Sequence, residues 1–221
     1  MVGRKNEDRE AEGPAPPRRR RPQDHGDRDP GRPVARKTKE TEIAVDLALE
    51  PGEAAISTGL PFFDHMLEQI SRHGGMALAV KAKGDLHIDA HHTVEDVGIA
   101  LGEALRQAVA DKAGLARYGH AVVPLDEALA EVVVDLSGRP HLTFNAGLPK
   151  GKKFIGGFDV DLTEDFFQAL VNHARITVHV NVRYGRNLHH VVEAIFKAAA
   201  RALRAATAKQ GEGVPSTKGT L

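Results

Sequence analysis

The chain has 221 residues with 30 basic and 30 acidic side chains, so its formal net charge is zero and no broad positive field argues for nucleic acid. It contains no cysteine, which excludes disulfides and thiolate metal sites and fits a reducing, cytoplasmic setting. No apolar run approaches the ~18 residues of a membrane span, and the N-terminus lacks the apolar core of a signal peptide.

Residues 1–35 are rich in Arg, Asp, Glu, Pro and Gly and nearly devoid of large apolar side chains. Such a stretch cannot bury enough surface to offset its ordering entropy, so a disordered tail is expected there. Its basic block, residues 16–22 (PPRRRRP), reads as solvated charge. Beyond the tail, Ile43, Val45, Leu47 and Leu49 alternate with Ala44, Asp46 and Ala48, the pattern of a half-buried strand. Pro51 and Gly52 mark a turn, and residues 54–57 fit a second short strand. Pro61 suits a first helical turn, after which Phe62, Phe63, Met66, Leu67 and Ile70 form one apolar face. Gly74 and Gly75 stop that helix. Met76, Leu78 and Val80 alternate again as a strand. From His92 onward, Val94, Val97, Leu101 and Leu105 recur at helical spacing until Gly114.

The same order then returns. Residues 91–108 (HHTVEDVGIALGEALRQA) and 189–206 (HHVVEAIFKAAARALRAA) align at an offset of 98. His65 aligns with Asp165, His73 with His173 and residues 78–80 with 178–180 at an offset of 100, and residues 42–47 with 131–136 at an offset of 89. Each repeat is too long for a solenoid unit. An α+β fold of two tandem half-domains is expected, each a small sheet with two helices on one face. The boundaries read as 36–122 and 123–221.

The repeated helices carry metal chemistry. With no cysteine, an ion must be held by imidazole and carboxylate. On a helix, His92 and Glu95 at i, i+3 or His91 and Glu95 at i, i+4 can converge on one ion. Adjacent histidines point about 100° apart and cannot easily share it. The doubled pair therefore suggests two ions, each helix giving one His to each. His91, His92, Glu95, His189, His190 and Glu193 are the candidates, with His65 a seventh and its repeat partner Asp165 an eighth. The aligned His73 and His173 are either functional or groups that settle a helix C-terminus.

Residues 59–67 (GLPFFDHML), 84–89 (GDLHID), 91–96 (HHTVED), 135–140 (DLSGRP), 189–194 (HHVVEA) and 215–219 (PSTKG) resemble, in one order, the imidazoleglycerol-phosphate dehydratase family. The match covers about residues 36–221. The resemblance implies a cytoplasmic hydro-lyase of histidine biosynthesis with two Mn2+ ions per site. It also implies ligands drawn from neighbouring subunits in a homo-oligomer of twenty-four chains, with no nucleic-acid or membrane partner. The implied reaction removes water from imidazoleglycerol phosphate to give imidazole acetol phosphate. Imidazolate character in the ring expels the hydroxyl, a diazafulvene forms, and the C2 proton becomes acidic. By the same resemblance Glu40 is the base, grouped with Glu95 and Glu193 as catalytic. The phosphate site maps onto Arg117, Arg139, Ser216 and Lys218, with Gln69 and His73 nearby. Asp165 departs from the His that many members carry. A metal-dependent hydrolase using the same cluster, or a protein merely assembled by metal, are the rival readings.

Overall fold

In the computed structural model, residues 33–110, 112–148, 153–213 and 215–216 are described. The first half runs β1 (Val34–Lys37), β2 (Thr41–Ala48), β3 (Ala54–Ser57), α1 (Pro61–Gly74), β4 (Ala77–Gly84) and α2 (His91–Ala108). The second runs β5 (Tyr118–Leu125), β6 (Ala128–Asp135), β7 (His141–Asn145), the small hairpin β8 (Phe154–Ile155) and β9 (Phe158–Asp159), α3 (Leu162–Ala174), β10 (Thr177–Tyr184) and α4 (Leu188–Thr207). The sheet orders are β1-β2-β4-β3 and β5-β6-β10-β7. In each, the first two pairs are antiparallel and the last is parallel. The fold is α+β, built from two duplicated half-domains.

Two boundaries need correction. Val34 and Ala35 pair with Val45 and Ala44 in β1, so the ordered fold starts before residue 36. β5 crosses the expected 122/123 division and belongs wholly to the second sheet. Both leading strands escape the pattern reading for a physical reason. β1 is four residues long and half of it is basic, while β5 puts Tyr118 and Val122 on its exposed side, which blurs the alternation.

Helix α1 starts at Pro61, whose missing N–H costs nothing in a first turn. It ends where Gly75 adopts the left-handed conformation (φ 62°) and donates to the Ser71 carbonyl. Phe63, Met66 and Leu67 are fully buried, each stabilising the fold by about 1.5–3 kcal/mol. Asp64 accepts from the Thr58 N–H at 2.8 Å and from its hydroxyl at 2.6 Å, tying the preceding loop to the helix that carries His65. The helices of the two halves meet between the sheets, α2 on α3 and α1 on α4. Phe63, Phe166 and Phe196 link the halves, at centroid separations of 5.4 and 5.3 Å. Among the described residues no helix is long and apolar enough to cross a membrane.

The α2–α3 seam depends on Gly98 and Gly102. A Cβ at Gly98 would stand 2.8 Å from the Phe166 carbonyl oxygen, and one at Gly102 2.5 Å from that of Leu170. Backbone cannot yield as a side chain can. Gly102→Ala is expected to lower stability by roughly 1–3 kcal/mol through overpacking, read as a fall in the unfolding midpoint. An unchanged midpoint would show that the seam is loose.

Candidate metal centres

The repeat places a three-residue cluster at one pair of helix N-terminal ends and a looser set of the corresponding residues at the other. In the first, His65 of α1 lies 3.4 Å by Nε2 from Glu193 Oε2 of α4, and His189 Nε2 lies 3.0 Å from the same oxygen. Donor atoms of these three side chains all fall within 4.8 Å of one another. Two imidazole nitrogens and a carboxylate oxygen, so gathered, fit a divalent first-row ion. In the second, His91 of α2 lies 3.9 Å by Nε2 from Glu95 Oε2 and 3.5 Å by Nδ1 from Asp165 Oδ2 of α3. The structure thus brings together the i, i+4 pairs and sets Asp165 opposite His91 as His65 stands opposite His189.

The second histidine of each pair turns elsewhere. His92 Nδ1 is 3.0 Å from Asp85 Oδ2, and His190 Nδ1 is 2.7 Å from Glu127 Oε2. These hydrogen bonds are the main reason both imidazoles are held above their ordinary pKa. The His190 bond, helped by the backbone N–H of Asn187, lowers the Glu127 carboxyl to about 2. Among the described residues neither His92 nor His190 pairs with the metal-ligand candidates of the other half.

Glu193 is buried, which pushes its carboxyl up, but the hydrogen bond and charge of Lys197 outweigh burial and hold it below the usual range. Lys197 Nζ sits 2.6 Å from Glu193 Oε1 at i, i+4. That spacing was available in the sequence, yet Lys197 is not among the expected site residues. Along the same α1–α4 groove, Gln69 lies between two histidines, with Nε2 3.3 Å from His65 Nδ1 and Oε1 3.1 Å from His73 Nε2. Burial first, then the charges of Lys197 and Arg201, keep His73 below its usual pKa.

Glu40 is in the turn between β1 and β2, and its charge reaches His92. The turn is latched to α2. Buried Asp96 accepts from the Thr41 hydroxyl and from Arg36 Nε at 2.7 Å, and the Thr38 hydroxyl accepts from the Glu40 N–H at 3.1 Å.

The expected phosphate residues gather at the other end of α4. Arg117 is held by Asp135 (Nε–Oδ1 2.8 Å) and donates to the Pro215 carbonyl, next to Ser216. Arg139 donates to the Ser137 carbonyl at 3.2 Å. Lys112 is buried beside them; burial, then the charges of Arg117 and Arg139, hold its pKa down. Lys218 lies outside the described residues. The Arg117 N–H bonds the Ala206 carbonyl, 17 residues beyond His189, or about 25 Å along the helix at ~1.5 Å per residue. The His189 end of α4 and Arg117 therefore stand at opposite ends of one chain's helix.

Two α+β halves of matching element order, one of which brings its His/Glu pair against a histidine of the neighbouring helix, define a duplicated protein with a candidate metal-binding cluster. A family model described as imidazoleglycerol-phosphate dehydratase matches residues 58–203. The chain is 86% identical over 188 residues to the imidazoleglycerol-phosphate dehydratase of Anaeromyxobacter sp. (strain K), covering 85% of this chain and 90% of that protein. It is 57% identical over 192 residues to the one from Nitrosomonas europaea, covering 85% and 96%. The crystal structure of the Staphylococcus aureus imidazoleglycerol-phosphate dehydratase superposes with a TM-score of 0.73 at 40% identity, over 81% of this chain and 100% of that one. The Pyrococcus furiosus enzyme in complex with (S)-C348 gives 0.73 at 40% identity, over 85% and 99%. The chain belongs to the imidazoleglycerol-phosphate dehydratase family.

Proposed function

We propose that the protein dehydrates imidazoleglycerol phosphate to imidazole acetol phosphate in histidine biosynthesis, as a hydro-lyase with two manganese ions per active site. The observation that carries this reading is the His65–His189–Glu193 cluster, together with the repeat of its residue positions as Asp165, His91 and Glu95. His65, His189 and Glu193 would hold one ion, and His91, Glu95 and Asp165 the other. Bound there, the ions supply Lewis acidity and a template for the imidazole end of the substrate. The C2 proton of the substrate is not adjacent to a carbonyl and is not acidic until the ring, having lost its N–H proton, has expelled the neighbouring hydroxide and become a diazafulvene; that proton and the hydroxide together leave as water. Glu40, held in its turn by the Thr38–Thr41–Asp96 latch, then takes that proton as general base. Tautomerisation of the resulting enol gives the ketone.

The separation of about 25 Å along α4 supports an active site shared between chains. A substrate roughly 10 Å long at ~1.5 Å per bond cannot span one chain's triad and its own Arg117. Neighbouring copies would bring Arg117, Arg139, Ser216 and Lys218 to the metal end, and His92 and His190 to complete the coordination. Exposed Tyr118, Val122 and Val133 on the outer face of the second sheet suit such self-association. The assembly in this reading contains twenty-four chains in the cytoplasm, with two half-domains per chain and residues preceding β1 dispensable.

Product formation from imidazoleglycerol phosphate by the purified protein, with and without manganese, tests the proposal. Release of inorganic phosphate instead of ketone would favour a hydrolase. Arg139→Ala is expected to weaken substrate binding and lower turnover together, because remote binding energy positions the reacting end. The comparison is between the phosphorylated substrate and its dephosphorylated alcohol. Equal losses on both would mean that Arg139 does not hold phosphate.

A further inference from the structure

The two halves solve one problem with different residues. Each second histidine, His92 and His190, meets a carboxylate through Nδ1, at 3.0 and 2.7 Å. A neutral imidazole so bonded donates its Nδ1 proton and keeps Nε2 as a lone-pair donor. Nε2 of His92 has no hydrogen-bond partner among the described residues. That of His190 faces the Asn187 amide at 3.5 Å and the exposed Asp126 carboxylate at 3.9 Å.

The carboxylates come from unrelated places. Asp85 follows β4 directly. The matching position after β10 is Gly185, an offset of 100. No side chain fits there, since a Cβ would collide with Val191 and stand 3.0 Å from the Ala128 Cβ. The second half uses Glu127 instead, from the β5–β6 turn. Its Oε1 is fixed by the N–H groups of Asn187 at 2.7 Å and Arg186 at 3.2 Å, just ahead of α4. The equivalent turn of the first half, between β1 and β2, carries Glu40. With Asp85 already on His92, Glu40 makes no side-chain hydrogen bond or ion pair among the described residues.

We infer that Asp85 and Glu127 are the positioning residues of His92 and His190, and that using Asp85 in the first half releases the turn carboxylate there, Glu40, for proton transfer. The inference rests on the dimanganese dehydratase reading. It explains why a duplicated fold has one turn carboxylate available as a base and the other tied to an imidazole. Asp85 is the cleaner of the two to test. Its Oδ1 is buried without a partner, and His92 is the group its carboxylate engages. Glu127 also holds backbone, so its loss disturbs more.

The test uses the full chain, assembled with manganese and dialysed against graded chelator, with residual manganese per chain counted by elemental analysis and size followed by gel filtration. Wild type should hold two ions per chain. Asp85→Ala should release one of them at roughly ten- to hundredfold lower chelator strength, the range for lost partners of ligating histidines, and keep the other. Glu127→Gln, which cannot serve both His190 and the two backbone N–H groups, should weaken the other ion. Asp85→Asn retains an oxygen for the Nδ1 proton and should recover most of the Asp85→Ala loss. If Asp85→Ala fails to assemble, the count for Asp85→Asn against Glu127→Gln still distinguishes the two ions. Both ions retained at wild-type strength in Asp85→Ala and Glu127→Gln would overturn the inference. Wild type holding no manganese would overturn the dimanganese reading beneath it.

Discussion

Stripping the protein with a chelator is expected to abolish turnover and to shrink the assembly, and added manganese to restore both. The proposed ligands come from α1 with α4 and from α2 with α3, the two helix pairs that join the half-domains. An ion at either centre would therefore tie one half to the other. Without it, Glu193 and Glu95 face neighbouring groups with less compensating charge. Since metal binds only the organised site, its loss removes stability by mass action as well as chemistry. Activity and particle size, measured on one dialysed sample before and after manganese, check both effects. Full turnover in a verified metal-free preparation would sink the idea.

The second large effect concerns Asp165. Its carboxylate oxygen lies 3.5 Å from His91 Nδ1, where pseudo-symmetry sets it against His65. A carboxylate adds a negative charge that a neutral imidazole would not, on a shorter side chain. We expect Asp165→Ala to weaken one of two manganese-binding steps and leave the other intact. Asp165→His, which restores the symmetric residue, should keep activity within roughly tenfold, the low end of losses for groups that support a metal. Calorimetric titration separates the two steps. Two unchanged steps in Asp165→Ala would detach this residue from the metal chemistry.

Much of this architecture is legible in the chain itself, where a single face is buried. The periodicity of α1, α2 and α4 and the alternation in β2 and β4 follow from burial against one layer, and the left-handed Gly75 ends α1 where a glycine pair stands. The duplication is equally plain, because His-His-x-x-Glu occurs twice. What escapes is what depends on contact across the fold. Asp85 and Glu127 become meaningful only when β4 and the β5–β6 turn are known to abut the helices; Glu127 is 63 residues from His190. Asp96 looks like one more acidic residue beside Glu95 until its burial beneath Thr41 and Arg36 is seen. Lys197 is the exception, since local helical spacing alone would have pointed to it.

Helix α4 has one further consequence. Its N-terminal end bears His189 and Glu193, and its C-terminal end carries the backbone that seats Arg117, with 17 residues between His189 and Ala206. On the shared-site reading, a newly made chain is fully folded yet chemically silent. Catalysis then has a threshold in concentration rather than in folding, and a cell making few copies has less activity per copy than one making many.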